Sequence, residues 1–148
     1  MEEAYVVNGE DVTWKGLSCP GFRLPTEAEW EYACRAGTTG ARYGNLDDVA
    51  WYSSNSGSTT HPVRQKQPNA WGLYDTLGNV WEWCWDWFGA YPSGVVTDPV
   101  DAGSGSRRVH RGGSWRDGAQ VARAAYRSGW TPDYRYGTLG FRLARSLP

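Results

Sequence analysis

The chain is poor in lysine, histidine and cysteine and has no long apolar stretch, and each shortage removes a class of function. Without a run of about 18 consecutive apolar residues it offers no candidate membrane span. Met1-Glu2-Glu3-Ala4 carries neither the basic nor the apolar segment of a signal peptide, so the cytoplasm is the default location. Two lysines stand beside 13 arginines, and the formal net charge is −1. Nucleic acid is not an expected partner, because neutralising phosphates takes a dense basic field. The arginine surplus favours planar, bidentate and stacked contacts instead. Cys19, Cys34 and Cys84 show no CxxC spacing, which speaks against a zinc site. Three buried free thiols in a reducing compartment are favoured over one disulfide with a thiol left over. Phosphate-binding GxxxxGK[ST] and GxGxxG loops are also missing.

What is present is aromatic and flexible: ten Trp, nine Tyr and 19 Gly among 148 residues. A mean hydropathy of −0.64 suits a disordered chain, but 15% aromatic residues oppose that reading. The expectation is one globular α+β domain, loop-rich, with short antiparallel strands and one or two main helices, burying about two thirds of its unfolded surface. Residues 3–14 alternate weakly around Asn8-Gly9, a hairpin signal. Thr26 and Glu29 form a capping box ahead of a helix over 27–35, with Trp30, Ala33 and Cys34 on one face. Residues 38–70 read as an ordered loop pinned by Tyr43, Trp51 and Tyr52, with a helical turn near 47–52 and a short strand at 61–63. Over 80–88, Trp81, Trp83, Trp85 and Trp87 alternate with Glu82, Cys84 and Asp86, which is strand periodicity. Core packing of the four indoles is favoured over ligand stacking. Further strands are expected over 107–115 and 140–145, and no internal repeat occurs.

The segment 112–143 is the most distinctive. Gly112-Gly113-Ser114-Trp115 and Gly140-Phe141-Arg142-Leu143 bracket an interval rich in Trp, Tyr, Arg, Asp, Ser and Gly but free of cysteine and histidine. Such an interval suits recognition better than covalent or redox chemistry. Asp117 and Asp133 are discounted as an acid/base pair, because nothing nearby would split their pKa values. Arg127 and Arg142 are expected to pair with buried carboxylates, with Glu29, Glu31 and Asp86 as candidates.

Five stretches occur in register: Phe22-Arg23-Leu24-Pro25-Thr26-Glu27-Ala28-Glu29-Trp30-Glu31-Tyr32-Ala33, Asn69-Ala70-Trp71-Gly72-Leu73-Tyr74-Asp75, Gly78-Asn79-Val80-Trp81-Glu82-Trp83, Arg111-Gly112-Gly113-Ser114-Trp115 and Gly140-Phe141-Arg142-Leu143. Together they resemble the sulfatase-modifying-factor family, which includes the formylglycine-generating enzymes. The resemblance implies a C-type-lectin-like fold, as a single domain over residues 1–148 with an atypical lead-in at 1–19. Enzymes of that family place a pair of copper-binding cysteines just after the GGS motif. This chain has Trp115-Arg116-Asp117-Gly118-Ala119-Gln120-Val121-Ala122 there, and no thiolate for Cu(I) or for exchange with a substrate thiol. A further family cysteine, which pairs with the one on the early helix, is replaced by Ala124, so Cys34 is expected to be unpaired. Iron-dependent relatives use a set of histidines, and His61 and His110 are too few for it. Neither copper nor iron is expected.

Variable proteins of diversity-generating retroelements also resemble this family, keeping the GGSW and GFRLA ends and varying the residues between. That likeness implies a non-catalytic module binding a protein or a small molecule through Arg116, Asp117, Gln120, Ser128, Gly129, Trp130, Tyr134, Tyr136 and Thr138. The alternatives are a formylglycine-generating-type oxidoreductase and a scaffold domain detached from a larger protein. The family resemblance further implies a structural calcium site at Asp75, Gly78, Val80 and Glu82, and no second calcium site over 45–68.

Overall fold

A computed structural model describes residues 2–91, 93–100 and 103–146. The ends of the expected 1–148 domain, at residues 1, 147 and 148, lie outside the described residues. The elements run β1 (Tyr5–Asn8), β2 (Asp11–Trp14), β3 (Phe22–Arg23), α1 (Glu27–Arg35), α2 (Leu46–Val49), β4 (Trp81–Trp87), β5 (Arg108–Arg111), β6 (Arg127–Trp130), β7 (Leu139–Phe141) and β8 (Ala144–Arg145). They build a hairpin β1–β2, a short pair β3–β8, and a four-stranded sheet in the order β6-β5-β4-β7. This is the α+β architecture expected from the sequence, with one departure: β7 runs parallel to β4.

Helix α1 starts where the capping box sets it. The Thr26 hydroxyl accepts from Glu29 N, the Glu29 carboxylate accepts from Thr26 N, and both bonds are present. Glu27 and Glu29 sit at the positive end of its dipole and Arg35 at the negative end. The hairpin turn falls at Gly9–Glu10, one residue later than the Asn8-Gly9 signal, because Asn8 pairs with Asp11. The helical turn near 47–52 appears earlier, as α2 capped by Asn45. No strand forms at 61–63; instead His61 is tied to Asn79 through its backbone N and O. The strand expected over 140–145 divides into β7 and β8, which join different sheets. Strand β6 lies inside the interval read as a recognition loop.

Period-two geometry sorts the four-stranded sheet into two faces. Trp83 pairs with His110, Trp87 with Arg108, His110 with Ser128, Arg108 with Trp130 and Trp83 with Phe141. All of these therefore share one face, the aromatic face. The other face carries Glu82, Cys84, Asp86, Val109 and Arg111, and it packs on α1. The core holds Trp30, Cys34, Val49, Ala50, Leu77, Cys84, Val109 and Ala124.

This corrects the expectation that the four indoles build the core. Glu82, Cys84 and Asp86 are buried, while of the four tryptophans of β4 only Trp81 is. The two carboxylates are hydrogen-bonded: Trp30 Nε1 donates to Glu82 Oε2 at 2.6 Å, and Asp86 Oδ2 accepts from Glu27 N at 2.7 Å. All three cysteines are free and buried. Among the described residues no helix is long and apolar enough to cross a membrane.

Candidate functional site

The GGSW turn places the site. Gly112 and Gly113 take φ of 94° and 76°, which L side chains rarely adopt. A Cβ on Gly112 would also lie 2.8 Å from the Thr76 carbonyl, so both space and conformation demand glycine. The turn then folds on itself: Asp117 Oδ2 accepts from Ser114 N at 2.9 Å and from Ser114 Oγ at 2.5 Å. Its backbone is held from outside, since Trp115 N donates to Asn79 O and Ser53 N to Asp117 O. Asp117 is thus an anchor of the turn as well as part of the surface.

From this turn and the aromatic face arises a cavity of about 420 Å³. Trp81, His110, Ser128 and Trp130 come from the sheet; Ser114, Arg116, Asp117, Val121 and Tyr126 from the segment after the turn; Tyr134, Tyr136 and Thr138 from the approach to β7. The rings form a continuous row. His110 stacks on Trp130 at 4.4 Å and 17°, Trp130 meets Tyr134 at 4.4 Å, and Tyr134 meets Tyr136 at 6.0 Å. Arg116 closes the rim by donating to the Tyr136 hydroxyl at 2.7 Å. A row fixed ring against ring loses little entropy when a ligand settles beside it.

Seven of the nine residues singled out from the sequence meet at this cavity: Arg116, Asp117, Ser128, Trp130, Tyr134, Tyr136 and Thr138. Gln120 is exposed, but its side chain lies over Gly118 rather than in the cavity. Gly129 is buried on the opposite face, where an added Cβ would meet Phe88 at 2.6 Å. Thr138 is itself buried, and its carbonyl accepts from Trp81 N at 2.8 Å. Sequence reasoning missed Trp81, His110, Ser114, Val121 and Tyr126. The signal for His110 was available in its cross-strand match with the tryptophan row, which needs the β4–β5 register to be seen.

Burial holds the His110 pKa down, at about 4, with the Arg108 backbone opposing in part. The imidazole is therefore neutral at pH 7. Burial pushes the Cys34 thiol up to about 11 and the Cys84 thiol well above its usual range. A nucleophilic or metal-binding thiol needs the reverse shift.

Of the residues expected to hold calcium, the two carboxylates already have partners within the protein. Both Glu82 oxygens take bonds from Arg142, Oε2 from Nε and Oε1 from Nη2, each at 2.7 Å, and Oε2 also takes the Trp30 indole. A divalent cation there would have to displace a guanidinium already paired with the carboxylate. Asp75 Oδ2 is engaged too, by Arg64 N at 2.7 Å. Among the described residues no group of three His, Cys, Asp or Glu side chains is placed to hold a metal. Arg142 and Arg127 do pair with buried carboxylates, but with Glu82 and Glu27 rather than the candidates named from the sequence.

Similarity to known proteins agrees with this geometry. The chain superposes on Treponema denticola variable protein 1 with a TM-score of 0.88 and 45% identity, covering 95% of this chain and 54% of that one. It is 42% identical to the formylglycine-generating enzyme of Streptomyces coelicolor over 84% of this chain and 46% of the relative. It is 39% identical to the serine/threonine-protein kinase pkn1 of Chlamydia caviae over 92% of this chain and 24% of that kinase. The chain thus spans about half or less of each of these relatives. The profile of the sulfatase-modifying factor enzyme 1-like domain matches residues 5–147, and the chain belongs to that family.

Proposed function

We propose that this chain is a non-catalytic ligand-binding module whose binding surface is the cavity and rim between Arg116 and Thr138. The observation that carries the reading is the convergence of Trp130, Tyr134 and Tyr136 with Arg116, Asp117 and Ser128 on one cavity of about 420 Å³. Aromatic anchors supply rigid contact area, and the polar side chains at their edge supply orientation. Likeness to a variable protein supports the same reading, and so does the composition of the interval, which matches that of adaptable paratopes. The partner is a protein or a small molecule, held without covalent chemistry.

The rival reading, an oxidase acting on cysteine, draws on the likeness to formylglycine-generating enzymes. It requires an accessible thiolate, whereas Cys34 and Cys84 are buried in the core with raised pKa values. Cu(I) titration together with oxygen uptake in the presence of a cysteine-containing peptide separates the two. Neither stoichiometric copper binding nor turnover is expected. Copper-dependent turnover would overturn the binding reading.

A further inference from the structure

Arg116 differs from the arginines that hold the fold together. Arg23, Arg35, Arg111, Arg127 and Arg142 each pair with a carboxylate. The exposed Arg116 has no such partner among the described residues, and its side chain donates only to the neutral Tyr136 hydroxyl, at 2.7 Å. Asp117 is the one carboxylate bordering the cavity, and it does not answer that charge. It folds back into the GGSW turn, where Oδ2 accepts from both Ser114 N and Ser114 Oγ. His110, the other titratable group of the lining apart from the tyrosines, is buried beneath Trp81, Trp83 and Trp130 and is neutral. The Arg116 contact also fixes which donors stay open. Because the Tyr136 oxygen accepts from Nη1, its own proton is free to be donated, and the other guanidinium N–H groups remain unused. Beyond Tyr136 the rings of Tyr134 and Trp130 continue the row.

We propose that Arg116 and Tyr136 form a carboxylate-binding pair at the rim, so that the cavity selects a carboxylate carried on an aromatic body. The inference rests on the binding reading above. A guanidinium presents its donors as a planar fork that matches the two oxygens of a carboxylate. The Tyr136 proton adds a further donor beside it. One cation balances one negative charge, so a monoanionic carboxylate is answered in full where a dianionic phosphate is not. An ammonium has nothing to accept these donors with and is repelled by Arg116. A carboxamide accepts without the ionic attraction. The aromatic body of the ligand lies along Tyr134 and Trp130, whose rings are already fixed against one another.

Phenylacetate, phenylacetamide and phenethylamine form a near-isosteric set of probes. Binding to the full chain is followed by NMR at the Arg116 guanidinium and the Trp130 indole. Phenylacetate is expected to move both sets of signals together. It binds roughly fivefold more tightly than phenylacetamide, the upper size of an exposed ion pair, and phenethylamine binds weakest. The margin shrinks as salt is raised, because the pair is open to solvent. In Arg116→Ala the only charged side chain left bordering the cavity is Asp117, so the order reverses in favour of phenethylamine. Arg116→Gln, which keeps the length without the charge, stands in if the Ala variant fails to fold. Tyr136→Phe keeps the charge but removes the shared hydroxyl, and weakens phenylacetate roughly threefold. Equal binding of the three probes, or a carboxylate preference that survives the loss of the Arg116 charge, would overturn the inference while leaving the cavity as a binding surface. If no probe moves the Trp130 signals, the inference and the binding reading fall together.

Discussion

The two faces of the four-stranded sheet use opposite chemistry. The face against α1 carries Glu82, Cys84, Asp86 and Arg111, all buried, with Glu82, Asp86 and Arg111 bonded to partners from distant parts of the chain. The outer face carries His110 and Trp81, both buried, beside the half-buried Trp83 and Trp130, and these rings touch one another. Along β4 the carboxylates face inward and the indoles outward, the reverse of the simple pattern. The inner face ties strands to helix through ion pairs that tolerate little change. The outer face holds its shape by ring stacking.

The sharpest way to break this division is at Glu82. Glu82→Ala strands Arg142 and the Trp30 indole, and removing one partner of a buried pair costs about 3–5 kcal/mol. Denaturant unfolding measures it; a loss under about 1 kcal/mol, the scale of an exposed pair, would place Glu82 outside the structural face.

Acid is the next lever, acting on the aromatic face through His110. Its folded pKa of about 4 lies below the unfolded 6.5, so the unfolded chain binds the extra proton in between. The contribution is fully present above pH 6.5 and is lost as pH falls from 6.5 toward 4, reaching about 3 kcal/mol. The difference in stability between the parent chain and His110→Phe, measured across that range, isolates it from carboxylate titration. A flat difference would mean that His110 is not buried neutral.

Thr26→Ala tests the helix that the inner face depends on. Losing the cap bond to Glu29 N is expected to cost about 1 kcal/mol, read by thermal or denaturant unfolding. Smallest of all is the effect of Arg116→Ala at the exposed rim, within about 0.5 kcal/mol in stability. A larger loss there would mean that the rim is part of the fold's support.

Local signals were read well from the sequence, and pairing signals were not. The capping box set α1 to the residue, because its two bonds lie within four positions. The indole alternation over Trp81 to Trp87 gave the right strand but the wrong inner face. That Glu82 and Asp86 face the helix follows only once Trp30, Arg142 and the Glu27 amide are known to lie against them. Strand β6 stayed hidden because Arg127-Ser128-Gly129-Trp130 has loop composition, and only its ladder with β5 makes it a strand. The GGSW turn and the aromatic interval supply most of the lining of the cavity described above. The floor, Trp81 and His110, comes from strands whose register no local pattern reveals.

The central claim is that the rim varies independently of the fold, and one library tests it directly. Arg116, Gln120, Tyr134 and Tyr136 are randomised together, and the variants are displayed, scored for folding, and sorted against unrelated protein targets. The account predicts that most variants unfold cooperatively, near the parent's midpoint, and that sorting yields binders of distinct specificity. Loss of cooperative unfolding across the library would contradict it, since those side chains would then belong to the fold rather than to a separable recognition surface.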